Sequence, residues 1–248
     1  MKENRVVLIT GGTRGIGLAV AKKFLQYGNR VVVASIDDEE TVNKALLELN
    51  AIGEAAYFRL DVANKENCRQ VVEQTVQKYG TVDVLCNIAG IVGELKTPLE
   101  ADLKKVEEVI QVDLLGTIYM SVYAGRHMKE QKKGVILNTS SICGFMATNV
   151  SVGYHAAKAG VNLVTKVFAE ELGIYGIRCA AVAPATVRTR LMDPSIEEEA
   201  KKLHMKGRVE EPEEIAGIFH LLSLEEASAI NGTTVMAEDG FCSFKGVW

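Results

Sequence analysis

Residues 5–28, RVVLITGGTRGIGLAVAKKFLQYG, decide the fold. Arg5 to Thr10 is a β-favouring apolar strand, Thr10 to Gly17 a glycine turn, and Leu18 to Gly28 an amphipathic helical run. Glycines let the backbone approach a pyrophosphate, and a helix start offers N–H groups and a dipole to its negative charge. A glycine cluster alone is as well read as a plain turn. Its place between a buried strand and a helix favours a dinucleotide.

Working outward, strands and helices keep alternating. Strands are expected at Arg30–Ser35, Ala55–Leu60, Val82–Cys86, from Val135, at Ile177–Ala183 and at Thr233–Ala237. Helices are expected near 38–51, 65–79, Leu103–Met128, after Tyr154 and near 212–222. This predicts an α/β fold with a doubly wound parallel sheet of about seven strands, helices on both faces, and one domain over 1–248. The run Leu103–Met128 carries Val109, Ile110, Val112, Leu114, Leu115, Ile118, Tyr119, Met120 and Val122, apolar on nearly every side, so it must be covered on two faces. One cover is the sheet and the other a second subunit, with the small residues Ala156, Ala157, Ala159 and Gly160 of the helix after Tyr154 allowing close approach. The proline-interrupted segment 188–210, with Leu191, Met192, Leu203 and Met205, suits a flap over a pocket; its other reading is a charged surface helix with a core face.

With 248 residues and 48% hydrophobic content the chain fills one large core. A net charge of −4 gives no electrostatic footprint for nucleic acid. The N-terminus reaches the glycine turn too soon for a signal peptide, and no apolar run approaches a membrane span. Five scattered cysteines, Cys68, Cys86, Cys143, Cys179 and Cys242, read as reduced thiols in a cytoplasmic protein. Neither they nor the four histidines have metal-ligand spacing, so no metal is expected.

A second stretch carries the chemistry: residues 134–160, GVILNTSSICGFMATNVSVGYHAAKAG. A buried strand turns polar at Asn138–Ser141, which sets Ser141 at the carboxyl edge of the sheet, where ligands bind in open α/β folds. Tyr154 and Lys158 are four apart and share a helix face, so the ammonium acts on the phenol and favours phenolate, moving it from its usual pKa near 10 toward a working pH. With 7 tyrosines in the chain, roughly half a Tyr-x-x-x-Lys pair is expected by chance, so the context carries the reading.

The cofactor end is equivocal. Ser35 and Ile36 stand where a carboxylate would accept from the adenosine ribose, and Asp37, Asp38, Glu39 and Glu40 follow. Arg14 in the glycine turn can reach a 2′-phosphate, which the acidic run opposes unless its side chains turn to solvent. That balance favours NADP(H) over NAD(H) by a thin margin. Asp61, at the end of the third strand, either accepts from an adenine amino group or serves as a turn cap.

With TGGTRGIG, NIAG, Ser141, YHAAK and APATVRT in this order, the chain resembles the short-chain dehydrogenase/reductase family over nearly its whole length. The resemblance implies a Rossmann fold and an NAD(P)(H) cofactor with Thr10, Gly11, Gly15, Ile16 and Gly17 around its phosphates. It implies Asp61 and Val62 at the adenine, Asn87, Ala89 and Gly90 at the ribose, and Pro184 to Thr189, Val187 included, at the nicotinamide. It also implies Tyr154 as acid/base, Ser141 as hydrogen-bond donor to the substrate oxygen, and Lys158 as holder of the ribose. Four positions depart from the family pattern: Asp113 replaces the asparagine of a proton relay, Ile88 the second Asn of NNAG, Ala185 a glycine, and Glu238-Asp239-Gly240 an Asp-Gly-Gly. An ionised Asp113 accepts but cannot donate, although its backbone carbonyl could still serve the relay. The expected activity is interconversion of a secondary alcohol and a ketone, in a homotetramer. The alternatives are a 3-ketoacyl carrier-protein reductase, for which Lys133 is in place but Tyr175 fills the second basic position, and a non-catalytic dinucleotide-binding redox sensor.

Overall fold

In the computed structural model, which describes residues 4–192 and 194–242, the strands are β1 (Val6–Thr10), β2 (Arg30–Ser35), β3 (Ala55–Arg59), β4 (Val84–Asn87), β5 (Gly134–Thr139), β6 (Ile177–Pro184) and β7 (Thr234–Ala237). They form one sheet in the order β3-β2-β1-β4-β5-β6-β7, and every pairing is parallel. Parallel neighbours need crossovers, and the crossovers here are helical: α1 (Gly15–Gln26), α2 (Glu39–Asn50), α3 (Lys65–Tyr79), α4 (Leu103–Val109), α5 (Gly116–Gln131), α6 (Val152–Gly173), α7 (Glu197–Leu203) and α8 (Pro212–Ser223).

Side-chain alternation along β1 shows why both faces must be apolar. Val7 and Ile9 pack with Val31 and Val33 beneath Phe24 and Leu25 of α1, Leu49 of α2, and Ile215 and Phe219 of α8. Leu8, between them, points the other way and joins Val32, Leu85 and Ile136 beneath Val71 of α3, Met120 and Met128 of α5 and Leu172 of α6. Local chemistry ends the helices where the sequence suggests. Asp38, Asn64 and Asp102 accept from first-turn N–H groups of α2, α3 and α4, Gly80 closes α3 at φ +80°, and Glu211 with Glu214 forms a capping box around Pro212.

The expected single helix over Leu103–Met128 is instead two helices joined by a π-helical segment, Ile110–Leu115, and it runs on to Gln131. A π turn holds one more residue than an α turn, so the buried stripe of α5 (Met120, Ala124, Met128) is rotated relative to α4. Part of the all-round apolar pattern is this change of phase. Gly160 also has an internal reason: a Cβ there would come within 2.9 Å of Leu114, so α6 needs it to seat the π segment.

Segment 188–210 contains turns, a 3₁₀ turn at Pro194–Ile196 and α7, and its base is closed by a parallel bridge between Val187 and Glu210. Of the expected domain over 1–248, residues 1–3, 193 and 243–248 lie outside the described residues, and 193 falls within the expected flap. No helix among the described residues is long and apolar enough to cross a membrane.

Candidate active site

The sheet order reverses between β1 and β4, and the carboxyl ends of these two strands open a crevice. Thr10, at the end of β1, uses its hydroxyl oxygen to accept from the N–H groups of Ile88 (2.9 Å) and Ala89 (3.1 Å), tying the loop after β4 to the glycine turn. Gly11 has φ +66°, and a Cβ on Gly17 would run into the Gly11 carbonyl, so these two positions need glycine for backbone shape and for close packing of helix on strand. Arg14, at the N-cap of α1, makes no side-chain cap, and no acidic residue lies in the first turn. The helix therefore presents free N–H groups and its positive dipole end to the crevice, which fits the diphosphate of a dinucleotide. Ile16 is half-buried beside Gly17, and Thr189 lies across the turn, 3.4 Å from where a Cβ of Gly15 would sit.

At the adenosine end, the acidic run does not all turn to solvent. Asp37 folds back onto the glycine turn: it accepts from the Arg14 Nε at 2.7 Å, makes a second contact to Arg14 Nη2, and accepts from the Thr13 hydroxyl. Ser35 is buried; its hydroxyl lies 3.0 Å from that of Thr13, and its oxygen accepts from the Asp37 N–H (3.3 Å). Arg59 donates to the Asp37 carbonyl at 3.5 Å, and Arg190 lies near enough to repel Arg14. Ile36 is exposed.

Some positions are occupied by internal bonds. Asp61 accepts from the Ala63 N–H at 2.9 Å, the turn-cap role, while Val62 is buried and would block any side chain at Gly116. The Asn87 amide donates to Ser121 (3.0 Å) and Asn138 (2.9 Å) inside the core, so its side chain braces the sheet and only its backbone borders the crevice. Pro184 ends β6, and Val187 is buried beyond it.

Ser141, Tyr154, Lys158 and Asp113 come together at the carboxyl ends of β4 and β5. Ser141 lies close enough to the Tyr154 phenol to favour its ionised form, and its hydroxyl oxygen accepts from the Cys143 N–H at 3.2 Å. Lys158 is 4% exposed, with Nζ 5.4 Å from the Tyr154 ring centroid, donating to the Thr139 carbonyl at 3.0 Å and paired with Asp113 Oδ2 at 3.0 Å. Asp113 sits on the π segment, fully enclosed; its Oδ1 accepts from the Ile91 N–H at 2.8 Å, and its backbone carbonyl accepts from the Thr117 hydroxyl at 2.8 Å. Gly90 lies against the carboxylate, since a Cβ there would stand 2.9 Å from Oδ2.

A family model for the short chain dehydrogenases matches residues 5–200. The chain belongs to that family. It is 36% identical to a 3alpha-hydroxysteroid dehydrogenase from Mediterraneibacter gnavus, over 97% of each chain. It is 33% identical to a 3-oxoacyl-(acyl-carrier-protein) reductase from Thermotoga maritima, over 96% of this chain and 98% of the other. The crystal structure of levodione reductase superposes with a TM-score of 0.92 at 29% identity, covering 97% and 99% of the two chains.

As a short chain dehydrogenase the chain is an oxidoreductase of a family that binds NAD(P)(H), and the electrostatics of its site depart from the simplest expectation. Burial pushes the Tyr154 phenol up; Lys158 pulls it down, but Asp113 pushes it up again, and it ends above its ordinary value. Lys158 alone therefore does not set the phenol, because burial, the largest effect, and then the Asp113 carboxylate both oppose it. Burial lowers Lys158, yet the Asp113 carboxylate and then Tyr154 outweigh this and hold the ammonium charged. Asp113 is raised by burial against the pull of Lys158. Sequence reasoning missed Asn138, which continues the brace by donating to Thr165 at 3.0 Å. An asparagine inside an apolar strand is the only signal it leaves.

Proposed function

We propose that this short chain dehydrogenase interconverts a secondary alcohol and a ketone, with Tyr154 as acid/base. The observation that carries the reading is the buried Lys158 ammonium 5.4 Å from the Tyr154 ring, with buried Ser141 beside the phenol, at the sheet edge next to the glycine cradle. A bound nicotinamide would supply or accept the hydride. In oxidation, Tyr154 takes the substrate hydroxyl proton, Ser141 donates to the substrate oxygen and fixes it beside the phenol, and the charge of Lys158 stabilises the phenolate. In reduction Tyr154 returns the proton. When a dinucleotide binds, Thr10, Gly11, Gly15, Ile16 and Gly17 would hold the diphosphate, Asp61 and Val62 would meet the adenine, Ala89, Gly90 and the Asn87 backbone the ribose, and Pro184, Val187 and Thr189 the nicotinamide.

For the cofactor, the charges of Arg14, Arg59 and Arg190 against those of Asp37 and Asp38 support NADP(H) over NAD(H) by a small margin. Segment 188–210 acts as the flap. A homotetramer is supported by Leu163 and Val167, four apart on α6 and 64% and 60% exposed. The placement that fits is cytoplasmic. Tyr154→Phe tests the reading: dinucleotide affinity by fluorescence titration should stay nearly unchanged, while turnover on a panel of cyclic alcohols, polyols and 3-ketoacyl thioesters falls by at least about 100-fold. Activity within tenfold of the parent would remove Tyr154 from the role.

A further inference from the structure

Among the described residues, the Asp113–Lys158 pair is the one ion pair whose two side chains are both nearly inaccessible, at 0% and 5% exposed. Burying two charges costs several kcal/mol each before their attraction is counted, and an uncharged side chain at 113 would avoid half of that. Packing does not require the charge. The Ile91 N–H needs only an acceptor, which an amide oxygen supplies as well as a carboxylate does. What the charge adds lies on the other oxygen, Oδ2, whose close polar neighbour is the Lys158 ammonium at 3.0 Å. Lys158 Nζ donates to the Thr139 carbonyl, and it acts on Oδ2 as a charge 3.0 Å away.

We propose that Asp113 is a positioning residue that tunes the acid/base step: by pairing with Lys158 it withdraws positive charge from the Tyr154 hydroxyl and places the pH profile of alcohol oxidation on the alkaline side. The proposal rests on the reading of Tyr154 as acid/base. Other groups around the phenol do not supply this effect. On α6, His155 turns away to Thr148 and the Ser151 carbonyl. From the loop after β5, Ser141 and Cys143 face the phenol, and the Cys143 thiol is itself pushed up by burial. Glu94, Asp102 and Lys105 line a small cavity beside Tyr154, but each is open to solvent; Lys105 pairs with Glu108 and Glu94 with Lys96. Asp113 is the enclosed anion of the set.

Asp113→Asn keeps the shape and the Ile91 bond and removes the charge. The limb of kcat/KM for alcohol oxidation that rises with pH should move about one unit toward acid, the size expected when a nearby like charge is deleted. Tyr154 labelled with ¹³C at Cζ, its resonance assigned by its loss in Tyr154→Phe, should titrate lower by the same shift, and this readout needs no turnover. A limb and a resonance that stay in place, or that move toward alkaline pH, overturn the proposal. If the Asn chain does not fold, Asp113→Ser carries the same two measurements. An active Tyr154→Phe enzyme would defeat the functional reading instead, whereas an inactive one with an unmoved Asp113→Asn profile defeats only this inference.

Discussion

Arg14 is bound to Asp37, and a 2′-phosphate would have to compete with that carboxylate for the guanidinium. Two substitutions separate the contributions. Arg14→Ala should raise the KM for NADP at least about tenfold and barely alter that for NAD, while Asp37→Asn should lower the KM for NADP by freeing the guanidinium and removing a repelling charge. Steady-state kinetics with both cofactors checks this, and equal effects on the two would count against phosphate binding by Arg14. The residues in this contest were legible in the sequence. Their pairing was not, because the direction of side chains in the turn after a strand depends on a partner 23 positions away. The same holds at 113. The departure from asparagine was plain to read, but the 3.0 Å pairing with Lys158 needed the fold to bring the π segment against α6.

Four neighbouring elements are locked by side-chain amides rather than by apolar contact alone: Ser121 of α5, Asn87 of β4, Asn138 of β5 and Thr165 of α6 form a buried chain of hydrogen bonds. Asn138→Ala should lower stability by about 1–3 kcal/mol in urea denaturation, since it leaves the Asn87 donor without its acceptor. At the base of segment 188–210, Glu210 is 8% exposed and burial pushes its carboxyl up to about 7, against the opposing pull of the Ala185 backbone. A raised acid binds its proton more tightly in the folded chain, so its contribution is present below the ordinary carboxylate range and is lost as pH rises through about 7. Thermal melts should show stability falling over that window, and Glu210→Gln should flatten the fall. Element types were legible because glycine turns, caps and apolar runs mark them locally. The π segment was not, since a wider turn leaves no composition of its own and only blurs the phase of the helix it interrupts.

For the whole molecule, the alternation of strand and helix was enough to predict the sheet, because parallel strands covered on both faces leave few other ways to bury Val6–Ile9, Val31–Ala34 and Val84–Cys86. Assembly is a separate matter. Leu163 and Val167 lie on the outer face of α6, and charging both with Leu163→Glu and Val167→Glu should convert the proposed homotetramer into smaller sedimenting species while leaving the far-UV spectrum unchanged. Unaltered sedimentation would place the subunit contact elsewhere.

The extra residue in Ile110–Leu115 behaves as a spacer of fixed count. Removing any one residue there other than Asp113 would turn α4 about 100° relative to α5 and draw it in by about 1.5 Å. Val106 would then leave the backbone of Gly153, where a Cβ would stand 3.2 Å from the Val106 Cα, and Val109 would leave Gly93. Gly153 immediately precedes Tyr154. A deletion in this segment is therefore expected to unseat the tyrosine from the far side, with no catalytic atom removed, and an insertion elsewhere along α5 would not restore it.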